Sequence, residues 1–466
     1  MELFVQDQAF IDGRWVKKDQ IFSVYDPSTA QVIGSAANCD VPDIQLAIES
    51  ANMAQKSYYS SNTAAQRGCL LQKWHDLVLE QAEDLGRILC LENGKTINEA
   101  RGEIAYAASF IAWFAAEAER SYGNTIPAST PNVMVMTMKE PVGVCGIITP
   151  WNFPAAMITR KVAPALAAGC AVVIKPPSKT PFTCLALARL AVKAGFPSKV
   201  IQVCTTKDRE VASVLATHPL VRKISFTASS NVGNLELGGN APFIVFDDAD
   251  IDLAVEGAMI SKFRCSGQTC VCTNRIYVQR GVLDEFTRKL VKKVSELRLA
   301  PGIDESSTQG PLINSSAVDK VKSHIEDAVS KGARVEIGGS HLAVAGYFMQ
   351  PTVLSGVTPE MAVAREETFG PLAPIFPFDS EDEIQKFANN TEFGLAGYFY
   401  SRDVGRVMRV ARGLEIGMCG VNTGKVSSAE SPFGGIKESG YGLEGSKYGI
   451  AEYQTIMAIT LGNIHL

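Results

Sequence analysis

Four short apolar runs decide the fold: Val142-Gly-Val-Cys-Gly-Ile-Ile-Thr149, Ala171-Val-Val-Ile174, Val200-Ile-Gln-Val-Cys204 and Lys223-Ile-Ser-Phe-Thr227. Each reads as a strand, and the segments between them, Ala155–Ala168, Phe182–Ala194 closed by Gly195, and Arg209–Thr217, read as helices. Strands alternating with helices predict βαβ units and a parallel sheet. Sheets of this kind bind ligands beyond the carboxyl ends of their strands. Asn152, Lys175 and the stretch 225–229 all fall at or just after such ends, so they are the first functional candidates.

Working outward, residues 9–38 alternate short apolar runs with turn residues (Asp12-Gly13, Asp26-Pro27), which predicts short strands and hairpins. From Ala64 to Leu91 the positions Leu70, Leu71, Trp74, Leu77, Val78, Leu85, Ile88 and Leu89 recur at three and four, and Asn93-Gly94 supplies a stop. One amphipathic helix is expected there, and a second from Ile97 to Arg120. Residues 124–140 read as extended. The second half repeats the alternation: strand Phe243–Phe246, helix Leu253–Phe263, strand Arg275–Val278, helices Leu283–Leu297 and Ala317–Ser330, then strands Ile375–Phe378 and Tyr398–Tyr400. It predicts a second α/β lobe over 238–430, with a site between the lobes, where pockets commonly form.

Composition narrows the function classes. With 466 residues, 46% of them hydrophobic, the chain is long enough for two or more domains. A net charge of −5, with lysines and arginines dispersed, argues against nucleic acid or an anionic membrane as partner. No apolar run reaches the length of a membrane span, and the N-terminal residues lack signal or transit character. The 11 cysteines are odd in number and scattered, which fits a reducing compartment; a cytoplasmic location is the default expectation. The five histidines lie far apart, so no metal site is expected.

The chemistry centres on Phe263-Arg-Cys-Ser-Gly-Gln-Thr-Cys-Val-Cys272. An arbitrary cysteine is more often a small buried hydrophobe than a nucleophile. What singles out Cys270 is its company: Asn152 in Pro-Trp-Asn-Phe-Pro, Glu236 in Leu-Glu-Leu-Gly-Gly, and Glu367 with Phe369 in Glu-Glu-Thr-Phe-Gly-Pro. Together these segments resemble the aldehyde dehydrogenase superfamily, and the resemblance runs from Phe10 to Ile456.

That resemblance implies two Rossmann-like parallel-sheet lobes and a small β oligomerisation element. The implied divisions are a dinucleotide-binding domain at 1–123 and 141–237, a catalytic domain at 238–430, and the oligomerisation element at 124–140 and 446–466, suggesting a homodimer or homotetramer. Cys270 would attack the aldehyde, and Asn152 with the Cys270 backbone N–H would stabilise the oxyanion. Glu236 would be the general base that activates water against the resulting thioester. The cofactor would meet Lys175, Trp151, Ser229, Glu367 and Phe369. Where the family usually has Lys-Pro-x-Glu, this chain has Lys175-Pro-Pro-Ser178; the lost carboxylate, with Lys179 beside it, favours NADP while leaving NAD open.

Arg160, Arg264 and Ser428 are similar to the set with which succinate-semialdehyde dehydrogenases hold the distal carboxylate of their substrate, and guanidinium forks suit carboxylates. The expected ligand is therefore a small aldehyde with a distal carboxylate. Cys272 resembles the second cysteine of those enzymes, a redox partner able to form a disulfide with the nucleophile.

One departure bears on all of this. After Ser225-Phe-Thr-Ala-Ser-Ser-Asn-Val-Gly233 the chain passes through Asn234 alone into Leu235-Glu-Leu-Gly-Gly. A parallel crossover needs about a dozen residues or more, and only Ala228–Asn234 separate Thr227 from Leu235. The helix that family members carry there, whose N-terminus would face the cofactor pyrophosphate, has no room. Three outcomes stay open: oxidation of succinate semialdehyde, oxidation of another small aldehyde, or a catalytically impaired member.

Overall fold

The computed structural model describes residues 3–227, 238–342 and 344–464. Its first sheet has six strands in the order Val221–Phe226, Val144–Ile148, Ala171–Lys175, Ile201–Val203, Gln8–Ile11, Arg14–Lys17. The first four run parallel, and the N-terminal hairpin closes one edge antiparallel, with Phe10 opposite Val203. Every residue of Val144–Ile148 is buried, as expected of a strand covered on both faces. Helices Val41–Ser61, Ala156–Ala168 and Phe182–Lys193 pack on this sheet, and Ala64–Glu80, Ala82–Asn93 and Ile97–Glu117 form a further layer over the last two.

The sequence reading passes over Val41–Ser61. Its start is well marked all the same: Asp40 accepts from the Asp43 N–H at 3.1 Å, Asp43 accepts in return from the Asp40 N–H at 3.0 Å, and Pro42 sits in the first turn. The single helix expected over 64–91 is two, Ala64–Glu80 and Ala82–Asn93, divided where Gln81 leaves helical geometry (φ −101°, ψ 18°). Both keep their apolar residues on the buried side, which is why the periodicity runs on through the break. The second helix ends at Gly94, whose φ of +85° suits a residue without a Cβ.

The second sheet has seven strands: Arg334–Ile337, Thr352–Ser355, Leu372–Phe378, Thr273–Gln279, Ala241–Val245, Ala396–Tyr400, Met418–Val421. All neighbours are parallel except the first pair. Ala241–Val245 lies in its interior, so among the described residues the strand that follows Val221–Phe226, at the edge of the first sheet, lies deep within the second. A third sheet joins Gln454–Leu461 to Met134–Pro141 and Thr125–Ile126. Its strands keep several large apolar side chains in solvent, among them Ile126, Met138, Ile456 and Met457. Among the described residues no helix is long and apolar enough to cross a membrane.

Candidate active site

The loop that carries Asn152 is held from below by buried polar groups. Lys95 and Glu103, both almost fully buried, form an ion pair; the Lys95 ammonium also donates to the Asn152 carbonyl at 2.9 Å. The other Glu103 oxygen accepts from the backbone N–H groups of Ala155 (2.8 Å) and Ala156 (3.3 Å), at the start of the buried helix Ala156–Ala168. A carboxylate at a helix N-terminus meets N–H groups that have no partner within the helix. The Asn93 amide fixes the Trp151 carbonyl at 2.8 Å. With its backbone pinned, Asn152 donates from Nδ2 to the Gln268 carbonyl at 3.0 Å, two residues before Cys270, while its buried Oδ1 has no partner among the described residues.

Cys270 stands after a strained turn. Cys265, Ser266 and Gly267 have φ of +51°, +53° and +73°, three left-handed residues in succession, two of them with side chains. Such positions cost on the order of 1 kcal/mol each and cluster at functional sites. The turn is locked by the Cys265 N–H to Glu99 (2.7 Å), the Ser266 hydroxyl to the Gly310 carbonyl (2.7 Å), and the Ile313 N–H to the Gln268 side chain (2.9 Å). A Cβ on Gly267 would lie 2.2 Å from the Gly370 carbonyl oxygen, so only glycine fits. Cys270 is half-buried. Cys272 is buried, its thiol directed at the Lys262 carbonyl (3.4 Å), and burial pushes its pKa up.

Gly239 joins Cys270 to the Glu367 loop. A Cβ there would lie 2.4 Å from the Cys270 carbonyl oxygen, and its N–H donates to Glu367 at 3.2 Å. Burial raises the Glu367 carboxyl to about 7, the Gly239 bond opposing it. Two buried amides set this loop: Asn274 donates to the Glu366 carbonyl (2.9 Å) and to Asn240 (2.8 Å), and accepts from the Thr368 N–H (3.2 Å). Phe369 has φ +54°, uncommon for a bulky residue. Its ring meets Trp151 edge-on at 5.6 Å, and the Lys179 ammonium lies 5.5 Å from the same indole. Lys175 ends its strand, with Ser178 half-buried three residues on. Neither Lys175 nor Lys179 has an ion-pair partner among the described residues, and burial lowers the pKa of both. Of the expected cofactor contacts, Lys179 and Phe369 thus both meet Trp151, with Lys175 four residues before Lys179 and Glu367 two before Phe369. The donor set fits a phosphorylated dinucleotide: two cations short of counter-ions, an indole face and a carboxyl able to accept from ribose hydroxyls.

The three expected carboxylate-binding residues differ in their partners. Arg160 is fully buried, ion-paired to Glu444, with Phe433 4.1 Å from its guanidinium; Lys161 pairs with the other Glu444 oxygen. The Ser428 hydroxyl donates to Ser431 at 3.0 Å. Arg264 instead lines a cavity of about 190 Å³ with Tyr106, Phe153, Lys425 and the neighbouring serine, Ser427, and its buried Nε has no partner among the described residues. The sequence reading named neither Tyr106 nor Ser427, nor the supports Lys95, Glu103, Asn240, Asn274 and Glu444. Glu236 and Ser229, with the short junction at 233–235, lie outside the described residues.

These segments recur together elsewhere. Residues 15–459 match the aldehyde dehydrogenase family model. The chain is 52% identical to a 3-sulfolactaldehyde dehydrogenase of Pseudomonas putida over 476 residues, covering 99% of this chain and 98% of that one. It is 51% identical to a glutarate-semialdehyde dehydrogenase of Pseudomonas aeruginosa, covering 99% of each chain. It is 50% identical to the NADP(+) succinate-semialdehyde dehydrogenase of Escherichia coli, covering 98% of each. The first alignment is ten residues longer than this chain, so that relative carries residues with no counterpart here, in keeping with the short stretch after Thr227. Among solved structures, an Escherichia coli NADP-dependent enzyme superposes with a TM-score of 0.97 at 50% identity, covering 99% of both chains. A succinate-semialdehyde dehydrogenase from Burkholderia pseudomallei gives 0.97 at 50%, covering 99% of this chain and 98% of that one. With the expected α/β lobes present and the Asn152, Cys270 and Glu367 segments converging through Gly239 and Gln268, the chain belongs to the aldehyde dehydrogenase family.

Proposed function

We propose that this chain oxidises succinate semialdehyde to succinate, with NADP preferred over NAD. The observation that carries the choice of substrate is the buried Arg264 Nε, without a partner, beside a cavity that also holds Tyr106 and Ser427. A cation short of a counter-ion in a cavity with hydroxyl neighbours is chemistry for an anionic end group. Succinate semialdehyde brings a carboxylate, and its aldehyde would reach Cys270 from that side.

The Cys270 thiolate adds to the aldehyde carbon and the carbonyl oxygen becomes an oxyanion. Asn152 is suited to receive it: Nδ2 carries two N–H groups, and the bond to Gln268 aims the amide at the cysteine segment. NADP or NAD, when bound, supplies a hydride acceptor. Lys175 and Lys179 would hold its anionic groups, Glu367 its ribose, and Trp151 with Phe369 would wall off the site from water. With the hydride gone, a thioester remains on Cys270; water attacks it, Glu236 takes the water proton, and the acid leaves. Lys179, lying against Trp151 with no ion-pair partner among the described residues, supports the preference for a 2′-phosphate. The divisions of the chain follow these roles: residues 1–123 and 141–237 for the dinucleotide, 238–430 for the nucleophile, and 124–140 with 446–466 for assembly into a homodimer or homotetramer.

The test is reduction of NADP and, separately, NAD by the purified protein with succinate semialdehyde, with Cys270→Ala as control. Turnover that depends on Cys270 and runs faster with NADP is expected. Faster turnover of glutarate semialdehyde would give the reading to a longer acid aldehyde, as in the relatives. Folded protein that turns over neither would favour the third reading, an impaired member, whose specific support is the seven-residue junction between Thr227 and Leu235.

A further inference from the structure

We propose that Tyr106 is a specificity residue, its hydroxyl donating a hydrogen bond to the distal acid group of the substrate. The inference rests on the reading of the Arg264 cavity as the acid-binding end. Tyr106 belongs to the helix Ile97–Glu117, on the wall of that cavity across from the cysteine segment. Its hydroxyl is buried and makes no hydrogen bond among the described residues. Buried tyrosine hydroxyls normally find a partner, because leaving one unmade forfeits what water would have given. Its polar neighbours are Arg160, Arg264 and Ser427, which act on the phenol through charge and as donors, against the rise in its pKa that burial causes. Two of the three carry positive charge, so what is missing between them is an acceptor.

The ring itself is fixed. Phe110 packs edge-on against it at 4.9 Å, and Phe153 shares the cavity. Among the described residues the carboxylate of this cavity that is not already ion-paired, Glu99, accepts from the Cys265 N–H and from Thr96, and so is turned toward the backbone. Arg264 would meet the acid group from one side and Tyr106 from another, a directional donor set against a charge. A charge alone attracts any anion; a second fixed donor selects the distance at which the anion sits from Cys270, and so the length of the substrate.

The experiment uses the full chain and a non-reacting acid, so that it reads binding whether or not the enzyme turns over. Alkylation of Cys270 by iodoacetamide is followed by peptide mass spectrometry against increasing succinate, with neutral butyramide in parallel. For Tyr106→Phe, the succinate concentration giving half-protection is expected to rise about 10- to 100-fold, with butyramide unchanged, the loss typical of a hydrogen bond to a charged group. Equal weakening for succinate and butyramide would make Tyr106 a packing residue and overturn the proposal. Normal succinate protection in Tyr106→Phe, alongside weakened protection in Arg264→Ala, would overturn it while leaving the acid-end reading intact. If succinate protects the wild type and both variants alike, or protects none, the acid-end reading itself falls and the proposal with it.

Discussion

Buried polar groups are treated in two opposite ways around the Asn152 loop. One set, Lys95 with Glu103, and Arg160 and Lys161 with Glu444, is matched, cation to carboxylate, at almost no exposure. The other set, the Arg264 Nε, the Tyr106 hydroxyl, the Asn152 Oδ1 and the Thr269 hydroxyl, is buried without hydrogen-bond partners among the described residues. An unsatisfied buried polar group costs about 1–3 kcal/mol. Matched groups hold the loop in place; unmatched ones are tolerated where a ligand completes them. The difference teaches that Arg160 and Arg264, alike in sequence as candidates for one carboxylate, do different work because only Arg160 is neutralised by Glu444. Substitutions in the matched set should therefore cost stability, and those in the unmatched set should cost binding or rate.

The largest effect is expected from Glu444→Gln. It leaves Arg160 and Lys161 buried without the carboxylate they share, and breaking a buried pair from one side costs about 3–5 kcal/mol. Urea unfolding should show the midpoint fall by a corresponding amount. A midpoint within error of the wild type would erase the distinction between the two sets.

Next is Asn152→Ala, in the unmatched set. Losing one oxyanion donor typically raises a barrier by about 3 kcal/mol, or roughly a hundredfold in kcat. The urea midpoint should change far less than in Glu444→Gln, since only the bond to Gln268 and an already orphaned oxygen are lost. A large stability loss with an unchanged rate would place Asn152 with the matched group.

Arg264→Ala should raise KM for acid aldehydes by about 10- to 100-fold, the equivalent of about 1.5–3 kcal/mol for a charge-assisted bond. Butyraldehyde should be spared. Because the guanidinium lacks a counter-ion, thermal stability should hold or improve, and a fall to match Glu444→Gln would contradict the contrast drawn here.

Glu367 tests the same idea through pH. Its carboxyl is raised from an ordinary 4.5 to about 7 by burial. Between those values the folded chain keeps a proton that the unfolded chain has released, so unfolding stability falls as pH rises from about 4.5 to about 7 and levels off above. For a half-buried group with some access to water the loss is on the order of 1–2 kcal/mol. Denaturation in urea at pH 5 and pH 8 should show that slope for the wild type and a weaker one for Glu367→Gln; equal slopes would mean the group is not held neutral.

Much of this arrangement was legible in the sequence, and the rest was not, for identifiable reasons. The strands around Val144–Ile148 and Ala171–Lys175 declare themselves because burial on both faces demands unbroken apolar runs. Cys270, Asn152 and Glu367 could be picked out as candidates because each sits in a compact motif resembling those of the family. Ser427 and Ser428 could not be told apart, since adjacent residues of one type differ only in where the turn aims them; Ser428 turns to Ser431, and Ser427 to the cavity. The neutralisation of Arg160 was invisible for another reason. Its carboxylate is 284 residues away, and no local pattern ties Glu444 to it.

The smallest expected effect concerns the turn itself. Cys265 holds φ +51°, a conformation that asparagine adopts more readily than most residues with a side chain. The Cys265 thiol makes only long contacts, 3.9 Å to the Asn93 Oδ1 and 3.8 Å to the Asn152 carbonyl. Both are acceptors, and an asparagine amide would bring two N–H donors to them. Cys265→Asn should therefore stabilise the chain by about 0.5–1 kcal/mol, the sum of relieved backbone strain and better hydrogen bonds less the cost of burying an amide. It should also slow peroxide inactivation no more than Cys265→Ala does, since burial lifts this thiol to about 11 and leaves it unreactive beside Cys270. Loss of stability in Cys265→Asn would mean that the pocket behind the turn is shaped to the thiol, and that the matched set extends one residue further toward the nucleophile.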